Sequence, residues 1–110
     1  MALTAGTLAR EKKAYGIRIL DLRKLSPVSD FFVVCSVDAD VQARAVTDHI
    51  VKTLREMGHK PYQTEGYRGS GWILLDFVDV VVHIFLPRVR EFYSLERLWG
   101  DAPVKELDDD

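Results

Sequence analysis

The segment 71–85, "GWILLDFVDVVVHIF", decides the fold because most of its residues favour β-structure. Residues 72–76 and 80–85 predict two strands. Asp76 and Asp79 bracket a turn between them, and aspartate is favoured in turns. A connection this short predicts an antiparallel hairpin.

The two faces of the first hairpin strand differ in character. Side chains alternate along a strand, so Trp72, Leu74 and Asp76 share one face while Ile73 and Leu75 share the other. We expect one face to pack against helices and the other to stay open for a partner.

The chain before the hairpin changes between helical and strand patterns. Helix-compatible residues at 2–14 precede strand patterns at 17–22 and 31–36. A long helix should then begin after Asp38 or Asp40, either of which can cap it. Its predicted apolar face is Ala43, Val46, Ile50, Leu54 and Met57, with Gly58 after its C-terminal end.

After that helix we expect a short strand near Tyr62, a glycine-rich loop and the hairpin. Pro87 can start a final helix. Ser94 could equally cap a second, shorter helix, and the sequence leaves both readings open. The order predicts an α/β fold of the mixed α+β kind, with a single mixed β-sheet and packed helices.

Length and composition predict one cytoplasmic domain. The 110 residues suit a single core over about 1–105, followed by an acidic, solvated tail at 106–110 that carries Glu106, Asp108, Asp109 and Asp110. The single cysteine, Cys35, fits a reducing compartment. No apolar run is long enough to span a membrane, and no secretory signal is visible.

The polar residues do not predict an enzyme. Asp76 and Asp79 are three apart, which a regular strand sends to opposite faces, whereas a two-metal site needs both carboxylates on one face. His49, His59 and His83 lack paired metal-ligand spacing. We therefore expect no catalytic residue, metal or cofactor.

Charge and aromatic content favour docking on a protein. The net charge is −2 without a basic stripe, so we expect little direct RNA binding. The segment "VREFYSLERLW" concentrates the arginine and aromatic side chains that dominate interfaces. Within it, Phe92 and Leu95 are expected to fill the core. For Trp72 in the hairpin, core filling and half exposure are both open, because a residue that opens an edge hairpin is often half exposed.

These segments resemble the ribosomal silencing factor family, also called RsfS or Iojap. The resemblance rests on "KKAYGIRILDLRKLSPVSDFFVV", "VQARAV", Glu65-Gly66, the hairpin segment and "REFYSLERLW". It runs from about Leu8 to Trp99. One departure is "SVDADVQ" at 36–42, where the family usually has a Gly/Thr/Ser-rich turn, which puts any role of that turn in doubt.

The resemblance implies a nucleotidyltransferase-like fold without transfer chemistry. It also implies binding to the large ribosomal subunit through ribosomal protein L-fourteen, which blocks joining of the small subunit and represses translation in starvation. The alternative is a degenerate nucleotidyltransferase-like protein that still binds nucleotide or metal. By the family's motif, the partner-binding residues would be Trp72, Leu74, Asp76, His83, Tyr93 and Trp99. The same face could form a homodimer when free.

Overall fold

The computed structural model of the protein describes residues 1–107 and consists of four helices and six strands within that range. In chain order the elements are α1 (Ala2–Glu11), β1 (Tyr15–Asp21), β2 (Phe31–Ser36), α2 (Asp40–Glu56), β3 (Gln63–Glu65), β4 (Trp72–Asp76), β5 (Val80–Phe85), α3 (Pro87–Tyr93), α4 (Leu95–Leu98) and β6 (Val104–Glu106).

The strands form one mixed sheet in the order β3-β4-β5-β2-β1-β6. The predicted hairpin is confirmed: β4 and β5 pair antiparallel, with Trp72 opposite Phe85 and Asp76 opposite Val81. The pair at the centre, β2 with β5, is parallel, whereas the other neighbours are antiparallel. The mixed α+β class predicted from the element order is therefore correct.

Helices α1 and α2 cover one face of the sheet and enclose the larger core. The predicted inner side of α2 is confirmed at four positions, because Ala43, Val46, Ile50 and Leu54 are buried there. The prediction for Met57 was wrong: its side chain is 56% exposed, because the helix ends at Glu56 and the chain turns away. Gly58 follows with φ +93, as expected for a residue that ends a helix.

Helices α3 and α4 lie over part of the opposite face. The sequence left open whether one continuous helix follows Pro87 or whether a second, shorter helix begins at Ser94. The structure has two helices. Ser94 has φ +44, a left-handed conformation that ends α3 before α4 begins. Within the described chain, neither α3 nor α4 contains a buried residue. Val89, Leu95 and Trp99 pack partly against a small core beneath them.

Strand β6 was not foreseen. Its residues pair antiparallel with β1, with Arg18 opposite Glu106 and Leu20 opposite Val104. Glu106, expected in the acidic tail, therefore belongs to the sheet edge. Asp108, Asp109 and Asp110 lie outside the described residues.

Candidate docking surface

The six residues expected to bind a partner come together on the sheet face that α3 and α4 only partly cover. We call this set the docking face: Trp72, Leu74, Asp76, His83, Tyr93 and Trp99. Four of them are on the hairpin strands and two belong to the helical segment that follows. In the strand register, Leu74 lies opposite His83. The face is thus less open than the sequence suggested, because the helical segment borders it.

Trp72 is the centre of an aromatic cluster. Its ring stacks on Phe85 at 4.9 Å between centroids and lies against Tyr93 at 4.7 Å. Its indole Nε1–H donates a hydrogen bond of 3.1 Å to Nδ1 of His83. The side chain is half-buried, one of the two alternatives that the sequence left open, and the hydrogen bond and the stacking hold it in one orientation.

His83 is the most deeply buried residue of the docking face and is only 3% exposed. Burial lowers the pKa of His83 to about 4, so the ring is neutral at pH 7. Because Nδ1 accepts from Trp72, the proton of the neutral ring is on Nε2. Nε2 has no hydrogen-bond partner among the described residues, and the ring meets Phe32 edge-on at 4.5 Å. His83 therefore supports Trp72 from below.

Asp76 ends strand β4, as the turn prediction required. Its Oδ1 accepts a hydrogen bond of 2.7 Å from the backbone N–H of Val78. Val78 has φ +74, which is unusual for a β-branched residue, and the Ser29 hydroxyl donates to its carbonyl oxygen. Asp76 is partly exposed, so its carboxylate contributes negative charge at the rim of the face while it fixes the turn.

The helical segment adds apolar surface that the sequence reading missed. Phe92 was predicted to be in the core, but it is 81% exposed, because the side of α3 that faces the sheet carries Val89, Arg90 and Tyr93 instead. Leu98 is 71% exposed, and Tyr93, whose ring meets Phe92 at 5.1 Å, is also exposed. Trp99 is half-buried, with its ring edge-on to Phe32 at 6.1 Å. The four-residue spacing of Val89 and Tyr93 was the sequence signal for the side of α3 that faces the sheet.

The polar groups elsewhere show no reactive arrangement within residues 1–107. Cys35 is fully buried, and burial raises the pKa of its thiol to about 12. No three His, Cys, Asp or Glu side chains among these residues cluster as metal ligands. None of the helices in this range is both long and apolar enough to cross a membrane.

Comparison with known proteins identifies the family. The family model described as "Ribosomal silencing factor during starvation" matches residues 1–110. Ribosomal silencing factor RsfS of Bacillus subtilis is 38% identical over 94% of this chain and 88% of its own length. The RsfS of Halalkalibacterium halodurans is 39% identical over 89% of this chain and 84% of its own.

Solved structures with the same fold as this chain include two that are 34% identical to it. A crystal structure from Chromobacterium violaceum superposes with a TM-score of 0.84 at 34% identity, covering 87% of this chain and 80% of that one. A second, from Bacillus halodurans, has a TM-score of 0.82 at 34% identity and covers 96% and 95%. Matched over its whole length, this chain belongs to the ribosomal silencing factor family and has a ribosome-associated silencing role.

Proposed function

We propose that the protein silences ribosomes by seating its docking face on ribosomal protein L-fourteen of the large subunit. The observation that carries this proposal is the pre-ordered aromatic face, in which Trp72 is half-buried yet fixed by His83 and Tyr93. A rigid aromatic anchor loses little conformational entropy on binding. Such anchors contribute most of the energy of protein interfaces.

Charge at the rim favours a basic partner. Glu65 pairs across the sheet with Leu74, so its carboxylate borders the apolar part of the face. Asp76 is partly exposed and Asp79 is exposed at the same end of the hairpin. Complementary charge speeds and orients an encounter with a basic ribosomal protein. We propose that contact with RNA contributes little, and that the action takes place in the cytoplasm.

Silencing then follows from the space that the protein occupies. The molecule measures 33 × 33 × 27 Å. A standard interface buries about 800 Å² on each partner, a modest part of its 6532 Å² surface. The rest of the body would project from the large subunit into the volume that the small subunit needs. No chemical step is required.

We also propose that the same face pairs two copies when no ribosome is present. Phe92 and Tyr93 are exposed and meet edge-on at 5.1 Å, and Leu98 of α4 is also exposed, so this side offers apolar surface that a second copy would cover. Sedimentation across a concentration series tests this, because a monomer at the highest concentrations contradicts pairing.

The deciding experiment measures binding to isolated ribosomal subunits and the rate of subunit joining. Trp72→Ala and Tyr93→Ala should each weaken binding to the large subunit by about thirtyfold, which corresponds to a loss of about 2 kcal/mol in binding free energy. Val41→Ala is the matched control, since Val41 is 71% exposed on α2 across the sheet. Normal subunit joining with the protein at saturation, or binding to the small subunit alone, would refute the proposal.

A further inference from the structure

The segment 87–99, which we call the arm, contains α3, α4 and the residue after them. It supplies Tyr93 and Trp99 to the docking face, yet no residue of α3 or α4 in the described structure is buried. Apolar burial therefore gives the arm only part of its hold on the sheet. A polar network supplies a specific attachment.

Arg90 is the centre of that network. Its Nη2 and Nε donate to the two carboxylate oxygens of Glu96 at 2.9 and 3.3 Å, which makes a bidentate contact between α3 and α4. Its Nη1 donates to the Ser36 hydroxyl on β2 at 2.8 Å. The Arg90 side chain is only 13% exposed, so water competes weakly for these bonds.

Glu96 links the arm to a second strand. Its Oε2 accepts a hydrogen bond of 3.0 Å from Arg18 on β1, whose Nε also donates to Glu106 on β6. The space for Arg90 depends on Gly16, because a Cβ there would lie 3.0 Å from Nη1 of Arg90. One guanidinium and one carboxylate thus join α3, α4 and strands β1 and β2.

The ionisation of Glu96 agrees with this attachment. Burial alone would raise the pKa of its carboxyl, but the hydrogen bonds from Arg90 and the positive charges of Arg90 and Arg18 outweigh burial and lower it. Glu96 is therefore ionised at neutral pH. An ionised, partly buried carboxylate between two arginines has few alternative positions.

We propose that Arg90 is the positioning residue of the docking face: through Glu96 and Ser36 it fixes the arm so that Tyr93 and Trp99 meet the partner in one geometry. Tyr93 and Trp99 lie on either side of Glu96 in the chain, and Tyr93 packs on Trp72. This inference rests on the proposed function, since its consequence is read through ribosome binding.

Arg90→Lys is the sharpest test, with Arg88→Lys as the matched control on the same helix, because Arg88 is exposed. Lysine keeps the positive charge, but it cannot make a bidentate contact with Glu96 and also donate to Ser36. We expect amide hydrogen exchange to accelerate in residues 88–99 by about tenfold and to stay unchanged in α1 and α2. The indole N–H resonance of Trp99 should shift. Unchanged exchange and an unchanged Trp99 resonance in Arg90→Lys would overturn the proposal.

Binding to the isolated large subunit supplies the second readout. Arg90→Lys should weaken it by about tenfold, whereas Arg88→Lys should not. If Arg90 acts through the arm, adding Arg90→Lys to Tyr93→Ala and Trp99→Ala should cost little further affinity, because the contacts it positions are already lost. A full additional tenfold loss in that background would overturn the positioning role. If the unmodified protein does not bind the large subunit, the proposed function fails, and the exchange measurement still decides whether Arg90 holds the arm.

Discussion

Replacing Gly66 by alanine would put a methyl group where the backbone of β4 already lies. Gly66 has φ +80, and a Cβ there would overlap the carbonyl oxygen of Trp72 and lie 2.8 Å from Oγ of Ser70. Ser70 itself donates to that carbonyl at 2.9 Å. The methyl group can fit only if the loop and the start of β4 move apart.

The expected cost has two parts. A left-handed conformation costs a non-glycine residue about 1–2 kcal/mol, and the reduced freedom of the unfolded alanine chain offsets part of this, leaving about 1 kcal/mol. Moving the loop would also break the hydrogen bond from Ser70 and the one from the Gly69 N–H to the Gly66 carbonyl, at about 1 kcal/mol each. The sum is a loss of about 3 kcal/mol in the free energy of unfolding.

Gly58→Ala is the matched control. Gly58 has φ +93 but no atom within 4 Å of its would-be Cβ, so it carries only the conformational part, about 1 kcal/mol. At about 2.1 cal/mol/K per residue for 110 residues, Tm should fall by about 13 °C for Gly66→Ala and about 4 °C for Gly58→Ala. Thermal and urea unfolding measure both. Equal losses in the two variants would refute the steric reasoning.

Three further outcomes follow from the same structure. The pKa of His83 is 6.5 when unfolded and about 4 when folded, so the unfolded state binds more protons between these values. The contribution of neutral His83 to the free energy of unfolding should therefore be fully present above pH 6.5 and fall by about 3 kcal/mol as the pH drops to 4. Urea titrations should find a much smaller fall in His83→Gln. Cys35, with its pKa raised to about 12 by burial, should react with a disulfide reagent at pH 8 only as fast as the protein unfolds; rapid native labelling would contradict this. The free energy of unfolding measured in urea should be about 1–2 kcal/mol higher for Val78→Gly than for Val28→Gly, because only the Val78 substitution relieves a left-handed conformation.

The parts of the fold that could be predicted are those set by nearby residues. The β4–β5 hairpin follows from two β-favouring runs around a three-residue turn, and the buried side of α2 follows from its spacing of three and four. The parallel pairing of β2 with β5 could not be read in this way, because it joins segments with a helix and two strands between them. Strand β6 has three exposed residues and a distant partner, so no local pattern marked it.

The sequence placed the six residues of the docking face on one side of the sheet, but it did not give their burial or contacts. Trp72 is half-buried and Tyr93 is exposed, whereas His83 is buried, because a neighbouring ring can cover a side chain on the same strand face. The prediction for Phe92 was wrong because the side of α3 that faces the sheet carries Val89 and Tyr93 instead. The attachment through Arg90 depends on Ser36, far away in the chain, and no spacing rule reaches that far.

The parallel pairing at the centre of the sheet also dictates when the molecule can assemble during its own synthesis. Strand β5, the parallel neighbour of β2, leaves the exit tunnel only after β2, α2, β3 and β4 have been translated. Contacts between such distant segments form slowly, because a long loop must close first. A nascent chain that stops before Val80 would hold β1 and β2 without a sheet centre, so the sheet can close only after β5 has been made.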